Sequence, residues 1–545
     1  MGKDQFLTRR DLLNLASLLG GGALLSGCGL RFRSSPITGA VLGQAHKLGH
    51  RLMQGGFPEP SRTIKTAVAV VGGGMAGLSA GWKLQRSGLK DFLVLELENS
   101  FGGNARSGRN AVSAYPWAAH YIPFPRPESA AVHELLRDLG VELGRDPSGK
   151  PVYDERAVCF APQERLFIHG RWQEGIFPKL GAGPEDVRQF AAFEARMAAY
   201  RVMKDQDGRR AFALPMALSS RRPDLLGLDA RSMASWLKAQ GFTSERLRWY
   251  CDYACRDDFG TTLEDASAWA GIHYFASRGA GDEDQVLTWP AGNGFVTDRL
   301  TRILDDRLLG PALVFDVSEG PSGVTVDAFD PRAKESVRVV AKAALVCVPV
   351  FLARRIVASL RRADPAWARG CSYAPWMVAN LTVEDPPQGK GFPTAWDNVI
   401  FKGSGLGYVV AGHQRLERRR DAEVWTYYHP MPSAESLPAR RTALSRSWSD
   451  WRDLILQDLS IAHPGIRDRV RNIDIMVYGH AMVKPKVGTV WGKDRLESLK
   501  PLGPRVFLGH SDLSGFSLIE EAQYHGVRAA QSAMTLLGHP FRPSV

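Results

Sequence analysis

A glycine-rich hexapeptide is the segment of this sequence with the clearest chemical capacity. It runs from Gly72 to Gly77 (Gly-Gly-Gly-Met-Ala-Gly) and follows five apolar residues, 67–71, that predict a buried strand. In a G-x-G-x-x-G turn, Gly72 makes the tight bend, Gly74 lets the backbone approach a pyrophosphate, and Gly77 lets the next helix pack on the strand. The pattern therefore predicts a binding site for the phosphates of a dinucleotide.

The elements that must position this turn are also indicated. Residues 75–87 contain no proline and predict a helix, so Met75 and Ala76 at its start are expected to contact the cofactor together with the glycines. Residues 92–96 predict a second strand that ends in an acid, Glu96, ~20 residues beyond the turn, where it can accept hydrogen bonds from a ribose 2′-hydroxyl. A glycine-rich loop of an unrelated fold is the alternative, and the complete series of strand, turn, helix, strand and acid disfavours it.

Three further segments resemble a single family. Residues 102–107 (Gly-Gly-Asn-Ala-Arg-Ser) resemble the G-G-R/N-x-x-S/T segment of flavin amine oxidases, and residues 343–349 (Ala-Ala-Leu-Val-Cys-Val-Pro) resemble their A-D-x-V-I-x-x-V-P strand. Residues 505–530 resemble their closing motif, in which a strand ends in glycine and is followed by S-G-Y, E-G-A, S-G and A-A. Because these segments occur in the family's order over residues 67–530, the chain is similar to the flavin-containing amine oxidases.

This resemblance implies FAD as the cofactor, held without a covalent bond, since no cysteine lies near the closing motif. The family's acid follows the closing-strand glycine by two residues; here the nearest acid comes one position later, and it is expected to bind ribityl hydroxyls or, alternatively, to cap its loop. The cofactor-binding residues implied are Gly72, Gly74, Met75, Ala76, Gly77, Glu96, Gly102, Gly103, Asn104, Arg106 and Asp512.

The resemblance also implies an α/β fold, with a Rossmann-type FAD-binding domain and an interleaved, mixed α+β substrate domain. The FAD-binding domain is expected from residues 65–150, 285–350 and 470–545, and the substrate domain from residues 151–284 and 351–469. Residues 29–64 are expected to form a tether with one weak helical pattern.

Catalytic candidates follow from the resemblance and from the first of two polar-aromatic clusters, the second being residues 427–429 with residues 478–480. Arg354 stands where many amine oxidases have a lysine near flavin N5, and Phe516 replaces a tyrosine that flanks the flavin. His273 and Tyr274 follow the acid pair at residues 257–258, and such carboxylates beside aromatic rings could bind a cationic amine. The alternative is an ordinary core helix with Asp258 as its N-cap.

The segment expected near the flavin ring departs from the family pattern. Residues 115–122 stand where the family carries G-G-x-x-I/L, but Ala118 and Ala119 replace the two glycines. The resemblance therefore does not specify the backbone path beside the ring.

The N-terminus carries the features of an export signal. Thr8-Arg9-Arg10-Asp11-Leu12-Leu13 matches the twin-arginine pattern, and a short apolar stretch ends in Leu25-Ser26-Gly27-Cys28, which resembles a lipobox. Residues 1–28 are thus expected to be a signal, with the mature protein attached to a bacterial membrane by a lipid on Cys28. Gly29 indicates the outer membrane in a Gram-negative host. The alternative is an uncleaved N-terminal helix.

Composition excludes several other classes of protein. The 545 residues carry a formal charge of +12, which favours anionic surfaces such as phospholipid headgroups, but the basic residues are scattered and no nucleic-acid-binding motif is present. Five cysteines remain beside Cys28, without the spacing of a metal or haem site. We expect free thiols, no bound metal and no nucleic-acid partner.

The function expected first is FAD-dependent oxidation of the C–N bond of an amine or polyamine. A desaturase or isomerase of an apolar, polyene-like substrate is the second hypothesis, because such enzymes share the fold and motifs. A flavin-binding envelope protein without turnover is the third. Since arginine cannot exchange a proton near neutral pH, Arg354 favours slow reaction with oxygen and electron transfer to a quinone or another envelope carrier.

Overall fold

The strand that precedes the glycine turn lies inside a seven-stranded sheet. This computed structural model describes residues 36–279, 285–416, 421–433 and 435–545, so the signal segment and its Cys28 lie outside the described residues. The strands of the first sheet are Pro60–Val71, Phe92–Leu95, Leu308–Leu309, Leu313–Glu319, Val324–Asp330, Glu335–Val346 and Val506–Leu508.

Parallel pairing brings the separate motifs to one edge of this sheet. Pro60–Val71 pairs in parallel with Phe92–Leu95 on one side and with Glu335–Val346 on the other, and Val506–Leu508 pairs in parallel with Glu335–Val346. Both faces are covered, which explains the unbroken apolar run at 67–71. Because parallel strands end at the same edge, the glycine turn, Glu96 and the loop after Leu508 are neighbours.

Two helices pack against each other beside the glycine turn. The first, Met75–Arg86, begins at the residue expected from the sequence, and the second is Ile519–Leu536, here called the closing helix. A Cβ atom at Gly526 would lie 2.1 Å from the Ala76 carbonyl oxygen, so this glycine permits the close crossing. The two helices share a core with the first sheet.

A second seven-stranded sheet is mostly antiparallel. Its strands, in spatial order, are Val470–Val483, Tyr373–Glu384, Ala422–Pro430, Tyr408–Val410, Asp397–Ile400, Glu164–Ile168 and Arg171–Glu174. Side chains alternate along Tyr373–Glu384: Met377 packs into the core on one face, while Trp376 and Val378 lie on the other face with aromatic residues of neighbouring strands.

Helices fill the space around the two sheets. Five of them follow the strand Arg171–Glu174 in the chain: Pro184–Val202, Pro223–Leu226, Met233–Ala239, Glu245–Phe259 and Ala268–Ala276. The others are His46–Gly49, Arg51–Gln54, Ala130–Asp138, Gly294–Leu304, Val350–Ile356, Ala358–Ala363, Ala366–Gly370, Ser436–Ser445, Trp448–Ser460 and Lys493–Ser498. Short two-stranded sheets pair Ser107–Arg109 with Ala114–Pro116, Tyr121–Pro123 with Val286–Thr288, and Glu142–Arg145 with Pro151–Tyr153.

Residues 37–545 form one compact unit, and the finer domain boundaries expected from the sequence stay a prediction. Among the described residues, no helix is long and apolar enough to cross a membrane. The five cysteines of this part are free thiols, of which Cys251, Cys255 and Cys347 are buried.

Candidate functional site

The glycine turn and Glu96 are held together by backbone hydrogen bonds. Gly72 has a φ of 104°, a left-handed conformation that favours glycine, and its amide donates to the Leu95 carbonyl at 2.8 Å. The two carboxylate oxygens of Glu96 accept hydrogen bonds from the amides of Gly73 at 2.7 Å and of Glu98 at 2.8 Å. Burial raises the pKa of Glu96 despite these bonds. The carboxylate is thus fixed in orientation beside the turn.

The N-terminus of helix Met75–Arg86 faces the next loop. Its first helical hydrogen bond runs from the Leu78 amide to the Gly74 carbonyl at 2.9 Å, so the amides of residues 75–77 precede the helical ladder. Gly102 donates to the Gly73 carbonyl at 2.8 Å and brings the second glycine segment onto the turn. Amides at a helix start surrounded by glycines form a suitable site for phosphate.

Arg106 supplies a positive charge at this place. Its Nε donates to the Gly103 carbonyl at 3.1 Å, and one terminal nitrogen, Nη1, donates to the Ser100 hydroxyl at 3.3 Å. The other terminal nitrogen, Nη2, is buried and has no hydrogen-bond partner within the described part of the chain. A buried donor of this kind is costly unless a ligand satisfies it, so the turn, Glu96 and Arg106 fit the phosphates and ribose of a dinucleotide.

A pocket, here called the inner cavity, lies at the start of the closing helix. Its volume is about 130 Å³, and Ser517, Leu518 and Glu520 line one side of it. Its aromatic lining consists of Tyr121, Trp376, Tyr428 and Tyr478, and its acidic lining of Asp257, Asp258 and Glu520. Burial raises the pKa of Glu520 to about 7.

Hydrogen bonds from the second sheet and from Asn104 hold the loop that carries Ala118 and Ala119. The hydroxyl of Tyr428 donates to the Ala118 carbonyl at 2.9 Å, and the amide of Ala119 donates to the Asn104 carbonyl at 3.2 Å. The side-chain amide of Asn104 donates to the Ala481 carbonyl at 2.9 Å. The two alanines and Asn104 therefore line the inner cavity, and the loop is fixed without the family's glycines.

The two adjacent acids at 257 and 258 have different environments. Asp258 accepts two hydrogen bonds from Arg278, at 2.6 and 2.8 Å, and lies in the last turn of Glu245–Phe259, so its alternative role as an N-cap was wrong. The Arg278 guanidinium also lies 4.3 Å from the Tyr274 ring centroid. Asp257 opens into the cavity, where removal from bulk water and the charge of Asp258 raise its pKa to about 7. Arg278 was missed in the sequence because its partner is 20 residues away.

A larger space, here called the acidic cavity, adjoins the inner one. Its volume is about 420 Å³, and it shares His120, Tyr121, Asp257 and Arg278 with the inner cavity. Five acids line it: Glu164, Glu174, Glu194, Asp257 and Asp397. Burial, followed by the charges of Asp257 and Glu164, raises the pKa of Asp397 well above its usual value. Apart from Asp257, these acids could not be identified as a cluster from the sequence, because they come from separate strands and helices.

The catalytic candidates from the sequence do not gather at one place. Tyr274 lines the acidic cavity, whereas His273 and Phe516 stack on each other in the helical core, with ring centroids 5.2 Å apart, and line neither cavity. Burial lowers the pKa of His273 to about 3, and its Nε2 bonds to the Ala213 carbonyl. Arg354 forms an ion pair with Asp364 and lines neither cavity.

Asp512 is buried among protein groups. Its carboxylate accepts hydrogen bonds from the Val350 amide at 2.8 Å and from the Tyr373 hydroxyl at 2.5 Å. Burial opposes ionisation, but the His510 ring, the Tyr373 hydroxyl and the Val350 amide hold the pKa of Asp512 below its usual value. This carboxylate joins the closing loop to the start of helix Val350–Ile356, and its contact with a cofactor stays a prediction.

Comparison with known proteins supports the fold. Residues 70–139 match the family described as an NAD(P)-binding Rossmann-like domain. The chain is similar to putrescine oxidase in its putrescine-bound structure, with a TM-score of 0.63 and 17% identity over 87% of this chain and 100% of that one. It is also similar to cyclohexylamine oxidase from Brevibacterium oxydans IH-35A, with a TM-score of 0.61 and 16% identity over 87% of this chain and 99% of that one.

The name of a third similar structure gives a different activity. It is a CLA-producing fatty acid isomerase from P. acnes, with a TM-score of 0.59 and 13% identity over 85% of this chain and 97% of that one. No curated protein gives a significant match to the sequence. Together these likenesses confirm the expected fold class, a Rossmann-type α/β region combined with a mixed second sheet.

Proposed function

We propose that this protein is an FAD-dependent oxidoreductase that oxidises the C–N bond of an amine. The observation that carries this proposal is the grouping of Asp257 and Glu520, which form no ion pair within the described part of the chain, with aromatic rings around the inner cavity, at the start of the closing helix. A carboxylate-rich, aromatic pocket attracts a cation through charge and cation–π contact. A hydrocarbon chain would gain nothing from these acids.

The residues of the glycine turn support FAD as the cofactor. The amides of residues 75–77, the unsatisfied nitrogen of Arg106 and the oriented carboxylate of Glu96 would hold its phosphates and ribose. Once bound, FAD would accept the electrons and hydrogen removed from the substrate. The side chains of the inner cavity would exclude water and hold the amine beside it.

A desaturase or isomerase of an apolar substrate is the second candidate. It is favoured by the likeness to the fatty acid isomerase, and the amine oxidases named above have somewhat higher TM-scores. A non-catalytic flavin protein is the third candidate. The acids of the inner cavity favour amine oxidation over both.

The deciding experiment is anaerobic reduction of the purified, FAD-loaded protein. Octylamine, benzylamine and 1,8-diaminooctane are mixed with it, octanol serves as the uncharged control, and linoleic acid represents the apolar substrates. Loss of the flavin absorbance near ~450 nm with amines, but not with octanol, supports the proposal. Double-bond migration in linoleic acid without any response to amines would favour the isomerase, and no response at all the non-catalytic protein.

We further propose export by the twin-arginine route, a lipid anchor on Cys28, and electron transfer to a quinone or another membrane carrier. Export and the lipid anchor rest on the residues around Arg9, Arg10 and Cys28, and electron transfer to a carrier rests on Arg354 at the position of the family's lysine. A lipid anchor would keep the enzyme on the periplasmic side of a bacterial membrane, the outer one in a Gram-negative host.

A further inference from the structure

Two segments of the chain that contain no acids meet beside the second sheet. Residues 37–58 include no aspartate or glutamate, and neither do residues 436–449, which begin with helix Ser436–Ser445. Both segments contact the edge strand Val470–Val483. The amide of Leu42 donates to the carbonyl of residue 475 at 2.8 Å, and a Cβ atom at residue 479 would lie 3.1 Å from the Cδ of Arg440. The two segments are therefore neighbours in space.

The basic residues of these segments lie close to one another. The rings of His46 and His50 have centroids 5.7 Å apart. Burial lowers the pKa of His50, and the charges of His46, Arg440 and Arg355 lower it further. Because each of these charges is positive, protonation of His50 would add to a repulsion that already exists. The surface around His50 is therefore positively charged.

Three cations of this surface are exposed and have no acidic partner. Lys47, Arg355 and Arg441 form no ion pair with an acid of the part of the chain that the structure describes. Glu98 contacts the first segment by accepting a hydrogen bond from the amide of residue 45, but it also lies 3.6 Å from Arg106. The positive charge is thus available to an anionic partner outside the protein.

Exposed apolar side chains lie on the same two segments. Leu42 is 52% exposed and Met53 60% exposed in the first segment, and Leu437 is 47% exposed in the helix. A single exposed apolar residue is ordinary, but exposed apolar side chains among unpaired cations are typical of surfaces that lie on anionic lipid. These three residues and the three unpaired cations are here called the basic face.

The proposed lipid attachment lies close to this face along the chain. Only residues 29–36 separate Cys28 from Ile37, where the compact unit begins. Such a stretch spans at most about 30 Å, roughly the radius of a compact unit of this size. A lipid on Cys28 would therefore hold the side that carries Ile37 near the bilayer, and the basic face adjoins that side.

We propose that the basic face lies on the surface of a bilayer of anionic phospholipids and fixes the orientation of the enzyme on the membrane. Its cations contact the headgroup phosphates, and its apolar side chains enter the boundary between headgroups and acyl chains. This proposal goes beyond the proposed oxidation and does not depend on it. The orientation rests on the proposed lipid anchor, whereas the affinity of the face for lipid does not.

The test measures the basic face without the lipid. The FAD-loaded chain from Gly29 contains the whole compact unit, residues 37–545, but neither the signal nor Cys28. Flotation with vesicles measures its binding to phosphatidylcholine with and without phosphatidylglycerol. Binding to the anionic vesicles should be about tenfold tighter or more in about 0.1 M salt, and most of this preference should be lost in about 0.5 M salt.

A double variant and a matched control assign the binding to this face. Lys47→Gln with Arg441→Gln should weaken binding to the anionic vesicles about tenfold or more, because each basic residue near an anionic surface contributes to the affinity. Lys90→Gln with Arg302→Gln removes the same charges from exposed positions outside the basic face and should bind as the wild-type chain does. FAD content and circular dichroism check that both variants fold.

Two results of the flotation experiment would overturn the proposal. The first is a wild-type chain that does not prefer anionic vesicles. The second is an equal loss of binding in the two double variants, which would make the total charge of the chain responsible. Amine oxidation takes no part in this assay, so failure of the proposed function would leave every expected result unchanged.

A fluorescent label tests the apolar part of the face. Leu437→Cys, labelled with an environment-sensitive fluorophore, should emit at shorter wavelength on anionic vesicles. The same label introduced by Leu143→Cys, at a position that is 64% exposed and outside the basic face, should not change. The chain without an added cysteine corrects for labelling of its five free thiols. An unchanged emission at residue 437, or an equal shift at residue 143, would also overturn the proposal.

Discussion

Asp257 and Asp258 are adjacent on one helix, but only Asp258 is paired with an arginine. Arg278 donates two hydrogen bonds to Asp258, whereas Asp257 faces both cavities without an ion-pair partner among the described residues. The paired acid has a structural role, and the unpaired one is available to a ligand. Exchanging each acid separately for asparagine distinguishes these roles.

The first prediction concerns stability. Asp258→Asn should lower the free energy of unfolding by about 3 kcal/mol or more, because it leaves the charge of Arg278 buried without its partner. Asp257→Asn should not lower it at pH 6, because asparagine, like the protonated Asp257 of the folded protein, carries no charge and leaves no arginine without a partner. Urea unfolding of the holoproteins, followed by tryptophan and flavin fluorescence, measures both. Equal losses in the two variants would contradict the assignment of roles.

The second prediction is a pH dependence with a definite sign. The pKa of Asp257 is about 7 in the folded protein, above its ordinary value of 3.8. The folded state therefore holds a proton that the unfolded state has lost, and this contribution to stability is complete below pH 4 and disappears as the pH rises through 7. Thermal unfolding between pH 5 and pH 8 should show a smaller loss of stability in Asp257→Asn than in the wild-type protein.

The decrease in stability with rising pH should become smaller in Asp257→Asn but should not disappear. Burial also raises the pKa values of Glu520 and Glu521 to about 7, and these groups contribute in the same direction. Glu497→Gln, a change at an exposed acid outside both cavities, should behave as the wild-type protein does. If Asp257→Asn and the wild-type protein lose stability equally between pH 5 and pH 8, the pKa of Asp257 is not raised in the folded protein.

Local parts of the dinucleotide site could be predicted from the sequence. The turn at residues 72–77, the helix start and Glu96 lie within one short stretch, where the geometry depends on neighbours in the chain. The acidic cavity could not be predicted, since Glu164 and Asp397 become neighbours only through a parallel strand pairing across more than 200 residues. Hydrophobic periodicity does not specify such a pairing.

Short motifs were less reliable for the orientation of side chains. Phe516 has the motif position of a tyrosine that flanks the flavin in the family the sequence resembles, yet it packs against His273 in the helical core. Arg354 has the position of a lysine, yet it pairs with Asp364. A motif fixes the path of the backbone, whereas the side chain follows the packing around it.

The third prediction tests the cofactor site with two glycines. A Cβ atom at Gly74 would meet its nearest neighbour at 3.8 Å, so Gly74→Ala should fold, but its methyl group should obstruct the pyrophosphate and weaken FAD binding about tenfold or more. A Cβ atom at Gly77 would lie 1.8 Å from the Gly72 carbonyl oxygen, so Gly77→Ala should not fold. Flavin absorbance per protein measures FAD content, and circular dichroism measures folding.

Gly144→Ala is the matched control for these variants. A Cβ atom there meets nothing within 4 Å, so both FAD content and folding should match the wild-type protein. Full FAD content in Gly74→Ala would contradict the assignment of the turn to the pyrophosphate.

The fourth prediction concerns export. Replacing Arg9 and Arg10 by lysine should leave the folded, FAD-loaded protein in the cytoplasm, because the twin-arginine route requires both residues. Cys28→Ser should give a soluble or uncleaved form, since serine cannot carry the lipid. Cell fractionation and mass spectrometry of the N-terminal peptide check both outcomes. Unchanged membrane attachment of Cys28→Ser would contradict the lipid anchor.

The last prediction concerns oxygen. Many of the flavin amine oxidases that the sequence resembles have a lysine near the flavin, but no lysine is among the described residues that line either cavity, and Arg354 lies outside both. Reduced protein should therefore react slowly with air-saturated buffer and rapidly with a soluble quinone, as measured by stopped-flow absorbance. Arg354→Lys should react with oxygen at the wild-type rate, since its side chain would pair with Asp364 rather than enter a cavity. Reoxidation by oxygen as fast as turnover would identify the enzyme as an oxidase instead.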